Sequence, residues 1–273
     1  MAANDSLPVD ADGLPIMEVG EWAVEKYALL QRYVNASWAA RQNWTARGYI
    51  DLYCGPGRVR VKKTTAIRDG GALVAWNQAA SKGGTFTHVV IGDLNEQTLD
   101  ACSQRLKNLS APVQALHGPA NETVEKVLAS LPRTGLHLAY LDPFNLEQLP
   151  FAVIQQLSKF PNIDIVVHFS VMDLQREIEL DFCRDASRFE GTAPGWKTHV
   201  NVRQYSKQEA RAEFMRYWFS LVKSLGFGYS REMPLFSNQN EGPLYRMVFL
   251  MRHPLADKLW NAVATRQGSL PLD

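Results

Sequence analysis

From residue 20 onward the chain alternates between stretches with an apolar residue every three or four positions and short runs of bulky, β-rich residues. Gly20 to about Trp44 places Trp22, Lys26, Tyr27, Leu30, Tyr33, Val34 and Trp38 at helical steps, predicting an amphipathic, aromatic helix that covers one face of a sheet. Tyr49, Ile50, Leu52 and Tyr53 predict a buried strand, bounded by Gly48 and by the Gly55-Pro56-Gly57 turn. A basic loop over Arg58 to Asp69 follows, then a helix over Ala72 to Ser81 opened by Gly70-Gly71. Next come a strand from Thr85 to Ile91 ending at Gly92-Asp93, a helix from Asn95 to Leu109, a short strand over Val113 to Leu116, and a helix to Leu131 after Gly118-Pro119-Ala120-Asn121. Leu136 to Leu141 predicts a fourth strand running into Asp142-Pro143-Phe144. Glu147 to Phe160 predicts a helix stopped by Pro161. Ile163 to Phe169 is almost continuously apolar, as a parallel strand buried on both faces requires.

The alternation breaks over 170–205, a stretch of mixed charge with Gly191, Pro194 and Gly195 inside it, which reads as an insertion with some local helix. Ser206 and Glu209 form a capping box ahead of a helix to Leu225. Two strands near Ser230 to Phe236 and Leu244 to Met251 predict a closing antiparallel hairpin joined by N-Q-N-E-G-P, and a short helix begins after Pro254. Strand and helix alternating in this way predict an α/β, Rossmann-like, doubly wound sheet with an antiparallel C-terminal strand. The expected organisation is a flexible lead-in over 1–19 and a single domain over 20–273, with its covering helix at 20–44.

Composition narrows the class. A formal net charge of +1 over 273 residues gives no global attraction to nucleic acid or acidic membranes, so such binding needs a local patch. Cys54, Cys102 and Cys183 stand far apart with no C-x-x-C pair, which disfavours a zinc ribbon or disulfide framework and suits a reducing cytosol. No run approaches the ~20 apolar residues of a membrane helix, and the acidic start has neither the basic nor the apolar region of a signal peptide. A cytoplasmic location is the expectation.

In an open parallel sheet ligands collect at the carboxyl ends of the strands. Four such ends carry candidate chemistry: Asp51 to Gly57, Asp93, Gly118 to Asn121, and Asp142. Glycine at 55 and 57 allows backbone conformations closed to other residues and a close ligand approach, although an ordinary turn explains a lone G-P-G equally well. Asp93 is placed to accept hydrogen bonds from both hydroxyls of a ribose, and acidic residues also end strands merely as turn formers. Arg58, Arg60, Lys62, Lys63 and Arg68 read either as a phosphate-binding loop or as a solvated one. His168, inside the fifth strand, reads as a core residue, and no pattern of ligand spacing implies a metal.

Two local spacings are similar to known motifs. D-x-x-x-G-x-G over 51–57 is similar to the first motif of class I S-adenosylmethionine (SAM) methyltransferases. Asp142-Pro143-Phe144 resembles the D-P-P-Y/F tetrad of enzymes that methylate exocyclic amines of nucleobases, with one proline fewer and Asn145 in the fourth place. In order along the chain, G-E-W-A-V-E-K at 20–26, Y-I-D-L-Y-C-G-P-G-R, G-D-L-N-E, L-D-P-F, I-D-I-V-V-H-F-S and Y-R-M-V-F-L-M-R-H-P resemble the three-Cys-motif partner proteins (TcmP family). That resemblance implies a class I methyltransferase sheet, SAM as cofactor, and a radical-SAM-like three-Cys-motif protein as partner. It implies Asp51, Tyr53, Gly55 and Gly57 at the methionine end of SAM, Asp93 and Leu94 at the ribose, Asn121 near the adenine, and Asp142, Pro143 and Phe144 facing the transferred methyl, with Asp142 also touching the cofactor. Trp22, Lys26, Arg58, Arg60, Lys62, Lys63 and Arg176 fall to the substrate side. Pro119 departs from the family's G-D-x-N, removing the acid that binds the adenine amino group, and Gly71-Ala72-Leu73 stands where G-S-P-L is usual. The function implied is methyl transfer to an amine, first of all of a nucleobase in nucleic acid; methyl transfer to a small molecule together with the partner, and a methyltransferase fold used only for binding, are the alternatives.

Overall fold

The computed structural model describes residues 7–237 and 242–265; the turn expected over 238–241 and the first six residues of the expected lead-in lie outside them. The fold is α/β, a mixed arrangement of mostly parallel strands flanked by helices. Contacts group the chain into two compact units, Met1–Tyr140 and Leu141–Asp273, where the sequence reads as one domain over 20–273. The division falls inside a strand and not at a Pro- or Gly-rich linker, so composition does not announce it.

The first unit opens with β1 (Met17–Val19), α1 (Trp22–Ala36) and α2 (Trp38–Gln42). The single covering helix expected over 20–44 is therefore two. Ser37 turns its hydroxyl back onto the Tyr33 carbonyl at 2.8 Å and accepts from Arg41 at 2.5 Å, and the chain bends there. Ser and Thr hydroxyls that bond backward in this way compete with the helix ladder. Arg41 is buried over the Phe86 ring, and burial pushes its pKa down to about 10.

Then follow β2 (Arg47–Asp51), β3 (Arg58–Val61), β4 (Ile67–Asp69), α3 (Gly71–Ala80), β5 (His88–Asp93), α4 (Glu96–Asn108), β6 (Val113–His117), α5 (Ala120–Ser130) and β7 (Leu136–Leu141). Strands β7, β2, β5 and β6 lie side by side and parallel, with Asp51 opposite Ile91 and Tyr140, and Asp93 opposite His117. The carboxyl ends of four strands thus form one row, and the fully buried Ile50, Val90, Ile91 and Ala139 anchor it from below.

The region expected as a ragged basic loop is a hairpin, β3 antiparallel to β4, and β1 adds a third, parallel strand to it. The stretch expected as a lead-in is accordingly built into the fold from residue 7. Asp12 takes two hydrogen bonds from Arg105, each 2.8 Å, and the same guanidinium reaches the carbonyls of Leu14, Pro15 and Pro56. Arg105 is only 3% exposed, so its charge depends on these partners. In return its hydrogen bonds hold the Asp12 carboxyl below the usual carboxylate range.

The second unit holds α6 (Phe151–Leu157), β8 (Ile163–Ser170), α7 (Val171–Cys183), α8 (Trp196–His199), α9 (Lys207–Ser224), β9 (Gly228–Tyr229), β10 (Leu235–Ser237), β11 (Pro243–Met251) and α10 (Pro254–Ala264). Strand β11 runs antiparallel to β8, β9 and β10. The helix expected over 147–160 begins only at Phe151, because Pro150 closes a 3-10 turn at 146–148 and starts α6. Helix α7 starts at once after β8, capped by the Ser170 hydroxyl, so the stretch read as an insertion begins with a regular helix. Its irregular part is gathered around Asp181. This fully buried carboxylate accepts from the Ser187 hydroxyl, from the amides of Arg188 and Phe189, and from Arg184. Burial alone would raise its pKa, but those four donors outweigh it and leave the group below its ordinary value. The capping box at Ser206 and Glu209 forms as its sequence predicts.

Replacing Arg105 with Met keeps the apolar stem and removes the guanidinium. Stability should fall by about 3 kcal/mol, and protease should cut the 7–19 segment before the rest of the chain. Equal cleavage kinetics for the two proteins would show that the pairing of β1 holds the segment unaided. Asp181, with its pKa depressed in the folded chain, contributes stability in full above the unfolded carboxylate value of about 4, and that contribution disappears as the pH falls further. Thermal melts should therefore show the wild type well above Asp181→Asn at pH 7, with the gap narrowing below about pH 4; a gap independent of pH would contradict this role.

Candidate functional site

In the first unit the chain leaves β2 at Asp51 and folds back over the end of β5. The Cys54 amide donates to the Gly92 carbonyl at 3.0 Å, and the Gly55 amide donates to Asp93 Oδ2 at 2.8 Å. Asp93 Oδ1 accepts from the Asn95 amide and the Thr98 hydroxyl, which ties the start of α4 to the same carboxylate. Each carboxylate oxygen accepts about two hydrogen bonds. Asp93 therefore keeps room on Oδ2 for one further donor, where the sequence suggests a grip on two ribose hydroxyls. Leu94 follows with its side chain 65% exposed.

The two glycines of the turn differ. Both hold φ in the left-handed region, +54° at Gly55 and +80° at Gly57. A Cβ on Gly55 would meet only Met17 Cε at 3.8 Å, the flexible end of an unbranched side chain. A Cβ on Gly57 would lie 2.7 Å from Leu73 Cδ1 and 3.1 Å from Cys102 Sγ, so that space is filled by the core. Of the two positions expected to allow close ligand approach, Gly57 has its space taken up by packing, and buried Gly55 has not. Asp51 is 1% exposed and accepts from the Tyr53 amide and the Tyr49 hydroxyl. Its Oδ2 would be 3.3 Å from a Cβ on Gly71, so this carboxylate abuts the N-terminal turn of α3, where the helix dipole favours negative charge. Burial, with the Asp51 charge second, raises the Tyr53 hydroxyl. Burial beside Cys102 raises the Cys54 thiol, which keeps it protonated.

The remaining first-unit candidates scatter. Asn121 is exposed in the first turn of α5. Trp22 lies over Gly20, where even a Cβ would fall 2.1 Å from the indole, and Lys26 sits over the Tyr27 ring. Arg58 is engaged by Asp10, Asp12 and Asp69, and Arg60 by Glu18 at 3.8 Å. Lys62 and Lys63 form the exposed tip of the β3–β4 hairpin. The basic patch legible in sequence is thus half neutralised by the segment before it.

In the second unit, Asp142 and Pro143 lead to Phe144, which is 88% exposed. His168 Nδ1 stands 3.7 Å from Asp142 Oδ1, and its ring packs on Tyr245 at 4.1 Å, which stacks in turn on Phe236. His168 is the residue that sequence reasoning assigned to the core; it is buried, but beside the carboxylate. The loop is pinned just beyond Phe144: Asn145 caps the 3-10 turn, and the Leu146 amide donates to Asp173 Oδ2 at 2.7 Å. A small polar cleft borders it, lined by Asn145, Glu147, Asp173, Arg176 and Arg188, which places Arg176 next to the D-P-F loop. Among the described residues no group of three His, Cys, Asp or Glu could hold a metal, and no helix is long and apolar enough to cross a membrane.

No family model and no curated protein matches the chain. Among solved structures it is similar to protein LPL1258 from Legionella pneumophila, of the family model DUF519, at 13% identity and a TM-score of 0.53, over 88% of this chain and 90% of that one. It also aligns with an O-methyltransferase from Bacillus cereus in complex with SAH, at 13% identity and a TM-score of 0.47, over 88% and 86% of the two chains. The first likeness speaks for the fold alone; the second is too loose to argue from. The site must be judged on its own residues.

The contrast between the glycines is measurable. Gly55→Ala meets only the left-handed backbone and should cost about 1–2 kcal/mol. Gly57→Ala adds a collision with Leu73 and Cys102 and should cost about 3 kcal/mol or more. Denaturant melts in which the two variants lose equal stability would remove the distinction.

Proposed function

We propose that the chain is a SAM-dependent methyltransferase acting on an amine, with an exocyclic amino group of a nucleobase in nucleic acid as acceptor. The observation that carries this reading is the row of parallel strand ends in the first unit, where left-handed Gly55, buried Asp51, Asp93 and exposed Leu94 stand together. Those residues fit the cofactor: a turn whose Gly55 has no atom but Met17 Cε within 4 Å of where a Cβ would stand, a buried carboxylate for an ammonium, a spare acceptor for a ribose hydroxyl, and an apolar surface for a purine. When bound, SAM supplies an electrophilic sulfonium methyl. Asp51 would hold its ammonium by charge, Asp93 Oδ2 one ribose hydroxyl, and Leu94 with Asn121 the adenine.

The acceptor side of the proposal rests on the second unit. An exocyclic amine is a poor nucleophile because its lone pair is delocalised into the ring. The Asp142 carboxylate and the Pro143 carbonyl would each accept one of its N–H groups, favouring the pyramidal nitrogen that attacks. Phe144, exposed on a pinned loop, would stack on the base and fix its plane. The chain's contribution is then positioning and hydrogen bonding to the nucleophile. The resemblance to three-Cys-motif partner proteins adds a radical-SAM-like protein as partner, and that part rests on sequence motifs alone. A second reading, a methyltransferase fold kept as a binding subunit, is favoured by the three donors that Asp93 already serves.

Calorimetry should show saturable SAM binding, and its absence at millimolar SAM would leave only the binding-subunit reading. Asp142→Ala should keep that binding and lose about a hundredfold or more in turnover on nucleic acid. Neutralising Lys62 and Lys63 should flatten the salt dependence of nucleic-acid binding by about one unit of log–log slope per lysine. A slope unchanged by those substitutions would move the acceptor away from nucleic acid.

A further inference from the structure

The adenine end of this proposed site has an unusual polar inventory. Pro119 has no N–H, and its carbonyl is committed to the amides of Glu122 and Thr123 and to the Thr123 hydroxyl, all within the start of α5. Residue 119 therefore offers an incoming base no polar group. Its neighbour His117 ends β6 directly opposite Asp93, and the Gly118 amide donates to the Asp93 carbonyl at 3.1 Å, so 117 and 118 are fastened to the strand end that leads to Leu94. The His117 ring is exposed, and its Nε2 lies 3.0 Å from the Leu94 carbonyl oxygen.

That contact fixes one nitrogen of the ring. A carbonyl oxygen only accepts, so Nε2 carries a proton, and whenever the ring holds a single proton Nδ1 is an unprotonated acceptor. The acceptor is held in place by its own hydrogen bond to the backbone of Leu94, so little side-chain entropy remains to be lost on binding. A 6-aminopurine lying on the Leu94 side chain needs an acceptor for its amino group, and a carboxylate at 119 would have been one. Asn121 follows two residues after Pro119 in the first turn of α5, but its amide can turn either a donor or an acceptor outward and so does not select.

We propose that His117 reads the 6-amino group of the cofactor's adenine through Nδ1 and is the specificity-determining residue for the base. The inference rests on the cofactor reading above and extends it. A deaminated purine presents a 6-oxo acceptor in place of the amino donor; against an unprotonated Nδ1 two acceptors face each other, and the base is disfavoured.

The test compares S-adenosylhomocysteine with S-inosylhomocysteine by calorimetry at about pH 8.5, where an imidazole holds a single proton. Wild type should prefer the adenine ligand by about tenfold to a hundredfold. His117→Phe keeps a ring against Leu94 but has no acceptor, and should bind the two ligands within about threefold of each other. Asn121→Ala, which removes a contact common to both bases, should weaken the two ligands by a similar factor and so keep the wild-type ratio. His117 lies on the surface, and thermal melts matching the wild type would establish that the variant is folded; His117→Gln, which restores an acceptor, should recover part of the preference. Discrimination that survives in His117→Phe, or that is lost in Asn121→Ala alone, overturns the assignment while leaving the cofactor reading standing. If the wild type binds neither ligand, the cofactor reading itself fails, and this inference with it.

Discussion

The hydrogen bond from the Gly55 amide to Asp93 Oδ2 is the constraint on which the first unit's functional end depends. A turn with Gly55 and Gly57 in the left-handed region turns its amides away from any strand ladder, and a buried amide without an acceptor is costly. Asp93 supplies the acceptor and, through Oδ1, takes the Asn95 amide and the Thr98 hydroxyl at the start of α4. One carboxylate therefore fixes the turn after β2 and the helix after β5 in the same frame. Helix α4 carries that frame further: Arg105, on the last part of the helix, bonds the Pro56 carbonyl in the middle of the same turn and Asp12 of the N-terminal segment. Turn, helix and N-terminal segment are held by two charged groups on or beside a single element.

Most of this fold can be read in the sequence because its signals are local. Helical spacing, β-rich runs and strand-ending aspartates locate α3, α4, α5, β5, β7, β8 and the capping box at Ser206 within a residue or a few. What could not be read depends on pairs distant in the chain. Asp10 and Asp12 look like a solvated acidic lead-in until Arg58 and Arg105, 48 and 93 residues away, are seen to meet them. The β3–β4 hairpin reads as a loop because its charged residues mask the alternating Val59 and Val61, which are buried. The bend at Ser37 turns on one hydroxyl choosing the Tyr33 carbonyl over water.

The candidate site shows the same division. Asp51, Asp93 and Asp142 stand out as residues that end apolar runs, and the glycines stand out as turn formers. That a Cβ on Gly57 would strike the core while one on Gly55 would not is a matter of what lies above each, and only Leu73, Cys102 and Met17 in three dimensions decide it. His168 was legible as buried but not as a neighbour of Asp142, since strand periodicity gives the face a residue occupies and not the partner it meets there. Charge is deceptive in a similar way. Five cations between 58 and 68 suggest an anion-binding loop, yet the acids of the N-terminal segment consume Arg58 and touch Arg60, leaving the hairpin tip and exposed Arg68 on β4 as the parts able to attract a polyanion.

The economy of acceptors then governs what the proposed cofactor end can hold. Asp93 spends three of its roughly four acceptor positions on the chain itself, and Pro119 spends its carbonyl on α5. A site in which the backbone takes so many of the available oxygens is well organised before any ligand arrives and has little left to offer one. Affinity for an adenosyl group must then come from the few polar atoms not already committed, together with apolar contact on Leu94. This is why a histidine pinned at one nitrogen, as proposed for His117, matters more here than it would beside an uncommitted carboxylate.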